Sequence, residues 1–109
     1  MTVIINNEFF GHGDNELGAK LMGSFLRKLS AEANKPKEIV FYNSGVKLLA
    51  EGSPVLDAMD LLANVGIDLI ACGTCVSHFN LQDKLKAGRV SDMATIVSIL
   101  ANSGKVITV

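Results

Sequence analysis

Apolar and polar positions follow two rhythms along this chain, and the switches between them mark its elements. Val3–Asn6 is a β-branched run that turns polar at Asn6-Asn7 and predicts a first strand. After the turn-rich segment Gly11-His12-Gly13-Asp14 the spacing becomes helical. Leu17, Leu21, Met22, Phe25, Leu26 and Leu29 recur on one face, with Asp14 as N-cap, and the helix fades near Asn34 before Pro36. Glu38–Tyr42 predicts a second strand, apolar at Ile39-Val40-Phe41 and therefore buried on both faces, as in parallel sheets.

Asn43-Ser44-Gly45 then turns the chain sharply into a short helical stretch, Val46–Glu51, which Gly52 breaks. Ser53-Pro54 reads as an N-cap followed by an N1 proline, opening a helix that buries Val55, Leu56, Met59, Leu62 and Ala63 and closes at Gly66. Ile67–Ala71 is a third strand, ending at Cys72. Asn80-Leu81-Gln82-Asp83 predicts a short capped helix that stops at Gly88, and Arg89-Val90 an edge strand. Ser91 caps a final helix carrying Met93, Ile96, Val97, Ile99 and Leu100, ended by Gly104, and Lys105–Val109 is the last strand.

This βαβαβαβ order predicts an α/β fold: a three-layer α/β/α sandwich around a mainly parallel sheet of four to five strands, forming one domain over residues 1–109. Three loops, Gly11–Asn15, Asn43–Val46 and Cys72–His78, are then expected at the carboxyl edge of the sheet, where such folds place their chemistry.

Composition narrows the function classes. A near-neutral chain with formal charge −1, dispersed lysines, no Trp and one Tyr carries no nucleic-acid footprint. No apolar run is long enough to span a bilayer, and Met1–Ile5 lacks the basic start and cleavage site of a signal peptide, so a cytoplasmic protein is expected. In a reducing compartment a Cys-x-x-Cys pair is a reactive or metal-binding pair rather than a structural staple. With 49% hydrophobic residues the chain is apolar for its size, which predicts self-association.

Cys72-Gly73-Thr74-Cys75 is the richest candidate. A thiol at a strand-to-helix turn sits among backbone N–H groups that stabilise a thiolate, and this setting is expected for Cys72, with Cys75 beside it. Gly73, Thr74 and His78 belong to the same loop, and an imidazole can deprotonate a thiol. Asn43, Ser44 and Gly45 offer an amide, a hydroxyl and bare backbone to an anionic or sulfur-bearing group. Gly11 and Gly13 would let backbone approach such a group, although their spacing to Gly18 is not that of a dinucleotide-binding loop. Sulfur-transfer or redox chemistry ranks ahead of inert packing, and a metal site third: only two cysteines are present, and His12 and His78 do not complete a finger spacing. No cofactor is expected.

Gly13-Asp14-x-Glu16-Leu17-Gly18, Phe41–Leu48, Glu51–Val55, Cys72–Cys75 and Ser91-Asp92-Met93 together resemble the DsrE/DsrF-like family, nearest the YedF-type sulfurtransferase-like selenium metabolism proteins. The resemblance implies a three-layer fold, assembly into dimers, trimers or hexamers, and sulfur relay, in which a cysteine carries sulfane sulfur as a persulfide. Cys72 matches the sulfur-carrying cysteine at the strand end, and Cys75 the second cysteine of some branches. Implied partners are sulfur donor and acceptor proteins, TusA-like ones among them. YedF-type proteins carry a TusA-like domain ahead of this one, and this sequence does not contain it, so a stand-alone member or a fragment is expected. The competing readings are a thiol–disulfide oxidoreductase using the same pair, and a non-enzymatic oligomeric binding module.

Overall fold

The computed structural model describes residues 1–109. Five strands form one sheet in the order β4-β3-β2-β1-β5, every neighbouring pair parallel. They are β1 (Thr2–Ile5), β2 (Glu38–Phe41), β3 (Asp68–Cys72), β4 (Arg89–Ser91) and β5 (Val106–Thr108). Between them run the helices α1 (Asn15–Ala31), α2 (Leu56–Asn64), α3 (Gly73–His78) and α4 (Met93–Asn102), and a 3-10 segment, Asn43–Leu49, follows β2.

Side chains alternate across a strand, and the alternation sorts the core into two layers. Ile5, Ile39, Phe41, Leu69 and Ala71 face one side, against Met22 and Leu26 of α1, Met59 and Leu62 of α2 and Val76 of α3. Val40, Ile70 and Cys72 face the other, where Ile96 of α4 covers them. Three successive crossovers in one direction put α1, α2 and α3 on the first face. The return crossover from β4 to β5 puts α4 on the second, as right-handed connections require. The result is the expected α/β/α sandwich with five strands. The direction of crossover changes between β3 and β4, a switch of the kind beside which doubly wound sheets commonly bind ligands. Cys72 is the last residue of β3 and pairs there with Ser91.

Local chemistry explains most boundaries. Asp14 caps α1 by accepting the Leu17 N–H at 2.9 Å. Gly66, with φ +92°, closes α2: its N–H bonds the Ala63 carbonyl and that of Ile67 bonds Leu62, the paired bonds of a Schellman motif.

Several expected elements differ. The predicted helix at Asn80–Asp83 is absent. Asn80 takes φ +57°, and the N–H groups of Asn80 and Leu81 return to Ser77 and Val76, so Asn80 ends α3 instead of opening a new helix. The chain beyond it is held by Lys84–Ala87 bonding back to Leu49 and Glu51, with an antiparallel bridge between Ala50 and Leu85. Ser53 accepts from the Val55 N–H and shapes the turn ahead of α2, which begins at Leu56. The α4 cap is Asp92 rather than Ser91: the Asp92 carboxylate accepts the Thr95 N–H at 2.7 Å, while Ser91 still belongs to β4. α1 stops at Ala31, short of Asn34.

Candidate functional site

Two of the three expected loop regions meet directly. Cys75 lies in the first turn of α3, and its Sγ accepts the backbone N–H of Asn43 at 3.1 Å. That N–H is aimed by unusual backbone: Asn43 sits at φ +50°, a left-handed conformation that asparagine tolerates better than most residues. Its own Oδ1 accepts the Ser44 N–H at 2.8 Å, which fixes the turn.

The 3-10 segment can reach the site only because residue 45 has no side chain. A Cβ on Gly45 would strike the Ile5 carbonyl at the end of β1. Gly45 is therefore required by close approach and not by a positive φ. Ser44 turns its hydroxyl away from the thiols, taking the Glu8 N–H at 3.4 Å and meeting Asn7 Oδ1 at 3.3 Å, so it fastens the exit of β1 to the site.

The two thiols differ sharply in surroundings. Cys72 is 1% exposed, packed with Val40, Ile70 and Ile96 on the α4 face. Cys75 is half-buried and lines an open cleft of about 280 Å³ together with Asn43, Thr74, His78 and Phe79. Cys75 also packs against the apolar cluster that contains Cys72. Burial pushes the Cys75 thiol above its ordinary value, the Asn43 N–H pulls it back in part, and neighbouring Cys72 adds to the rise. The backbone donor expected for Cys72 thus falls on Cys75.

The remaining candidates divide cleanly. Asn43, Thr74, Cys75 and His78 share the cleft. Gly73 lies where a Cβ would press on the Ser91 carbonyl and Val90 Cγ1, both at 3.2 Å, and so permits the close packing of the β3 end on β4. Gly11 is placed elsewhere, beside His12, Thr108 and Val109 at a separate hollow of about 240 Å³, and Gly13 is an exposed turn residue with φ +129°. Neither lines the thiol cleft.

Sequence reasoning overlooked Phe79 and Lys47. Phe79 walls the cleft, stacks edge-on to His78 with ring centres 5.1 Å apart, and carries the Lys47 ammonium 4.5 Å above its ring. Lys47 also pairs with Glu8 at 3.7 Å. The available signal was spacing: Phe79 follows Cys75 by four residues, and Lys47 follows Asn43 by four. No group of three or more His, Cys, Asp or Glu side chains gathers as a metal-binding cluster.

The DsrE/DsrF-like family model matches residues 3–109. The chain belongs to the DsrE/DsrF-like family. Its fold is also that of solved structures of low sequence identity. The ychN protein from E. coli is 13% identical, with TM-score 0.70 over 99% of this chain and 97% of that one. MTH1491 from Methanobacterium thermoautotrophicum, described as a protein of unknown function, is 23% identical with TM-score 0.72, covering 99% and 96%. BT1422 from Bacteroides thetaiotaomicron is 17% identical with TM-score 0.70, covering 99% and 93%. No curated protein matches this sequence.

Proposed function

We propose that this DsrE/DsrF-like chain is a sulfane-sulfur carrier that holds the sulfur as a cysteine persulfide and passes it to a partner's thiol. Members of the family often work in sulfur relay. The observation that carries the reading is the Asn43 N–H directed at the Cys75 sulfur in an open cleft, with Cys75 packed against the cluster that holds a second thiol. A persulfide carrier needs a thiolate to accept the sulfur, a donor to steady its negative charge and an approach for the partner. His78, which lines the same cleft three residues beyond Cys75, takes up or returns the proton.

Donor and acceptor proteins dock at the carboxyl edge of the sheet, where the cleft opens, and the protein self-associates through apolar surface left outside the core. Leu17 on α1 and Met93 and Val97 on α4 are each more than half exposed, at 54%, 52% and 56%. The test of the carrier reading is intact-mass spectrometry after incubation with a persulfide donor. An adduct of about 32 Da, one sulfur, or release of sulfide into solution supports it. A chain that gains no sulfur and releases no sulfide removes it.

A further inference from the structure

We propose that the two thiols divide the work: Cys75 takes the sulfur from the donor, and Cys72 is the resolving thiol that expels it. The proposal rests on the carrier reading and reverses the order that the family resemblance implies for the pair.

Displacement at sulfur requires the attacking atom to approach along the bond that breaks, so the loading thiol must be open to the donor. Cys72 is not. It ends β3 on the face covered by Ile96, among Val40 and Ile70, and exposes 1% of its surface. Cys75 is half-buried and lines the open cleft, with a backbone N–H on its sulfur. A donor persulfide entering beside Phe79 meets Cys75 first.

The chemistry closes in two steps. The Cys75 thiolate attacks the outer sulfur of the donor persulfide: a bond forms between Cys75 Sγ and that sulfur, the donor's S–S bond breaks, and the donor leaves as a thiolate that takes up a proton. Passing the sulfur to an acceptor thiol repeats this exchange and leaves both cysteines reduced. When no acceptor arrives, Cys72, whose apolar cluster Cys75 packs against, attacks Cys75 Sγ. A Cys72–Cys75 bond forms, the outer bond breaks, and the sulfur departs as hydrosulfide. The two cysteines are oxidised to a disulfide as the sulfane sulfur is reduced, and an external dithiol restores them. Burial of Cys72 therefore delays discharge and favours delivery.

Glutathione persulfide with the full chain tests this. Expected results are an adduct of about 32 Da that persists on Cys72→Ala without sulfide release, and none on Cys75→Ala. The wild-type chain should release sulfide and lose about 2 Da as its disulfide closes. Loading of Cys75→Ala but not Cys72→Ala, or of both alike, overturns the division of labour while leaving the carrier reading intact. A wild-type chain that neither gains sulfur nor releases sulfide overturns the carrier reading, and this assignment with it. Native alkylation of the wild-type chain gives a check that needs no variant. Cys75 should react at least about tenfold faster than Cys72, and equal rates overturn the assignment.

Discussion

Gly45 and Asn43 shape the site by opposite means, one through a missing side chain and the other through a strained backbone. Alanine at position 45 would drive a methyl into the Ile5 carbonyl and push the 3-10 segment off β1. Overpacking of this kind costs about 1–3 kcal/mol, and Gly45→Ala should lower the melting temperature and slow Cys75 alkylation together. Asn43→Gly keeps the left-handed turn and should preserve the alkylation rate. Asn43→Ala meets a penalty of about 1–2 kcal/mol for that conformation and should slow loading by swinging the N–H off the sulfur. If Asn43→Ala alkylates at the wild-type rate, the N–H is not supporting Cys75. The pH dependence follows from the direction of the shift. With its thiol pushed above the ordinary value, Cys75 holds less thiolate at neutral pH than a free cysteine does. Its alkylation rate should keep rising through and beyond the usual thiol range, and a plateau below pH 8 would contradict the burial that causes the shift.

The elements most legible in the sequence were those written in local chemistry. β1, β2 and β3 followed from short β-branched or apolar runs, α1 from Asp14, and the end of α2 from Gly66. Asn80 shows the limit, because the same residue type opens helices as a cap and closes them in the left-handed conformation, and here the Asn80 and Leu81 N–H groups bond back to Ser77 and Val76. Apolar periodicity likewise identified α4 without showing which residues its sheet face would cover: Ile96 is buried, while Met93 and Val97 face out. The site was legible where strands end, at Asn43, Cys75 and His78. Phe79 and Lys47 were missed because a phenylalanine reads as core and a lysine as solvated surface. Ile96 makes α4 testable. Ile96→Ala should cost about 2–5 kcal/mol and, by uncovering the second layer, bring Cys72 within reach of native alkylation, visible by peptide mapping. Unchanged protection of Cys72 would mean that α4 is not its cover.

The molecule as a whole is a parallel sheet with three helices on one face and a single helix on the other. The apolar residues that α4 turns outward, with Val90 at the sheet edge, are the surplus that self-association would bury. Light scattering at micromolar concentration should report an oligomer. A Met93→Lys/Val97→Lys double variant should be smaller with an unchanged circular dichroism spectrum, and a wild-type monomer would refute the idea. The strand order carries a separate consequence for synthesis. β1, which precedes the other four strands in chain order, lies between β2 and β5, and its Thr2–Ile4 ladder finds its second partner only in Val106–Thr108. Most of the sheet can assemble on the nascent chain, yet one row of β1 amides and carbonyls stays unpaired until Val106–Thr108 emerge. The growing polypeptide therefore passes through a nearly complete intermediate with an open, aggregation-prone seam. Docking of β5 beside β1 is the event that zips it shut.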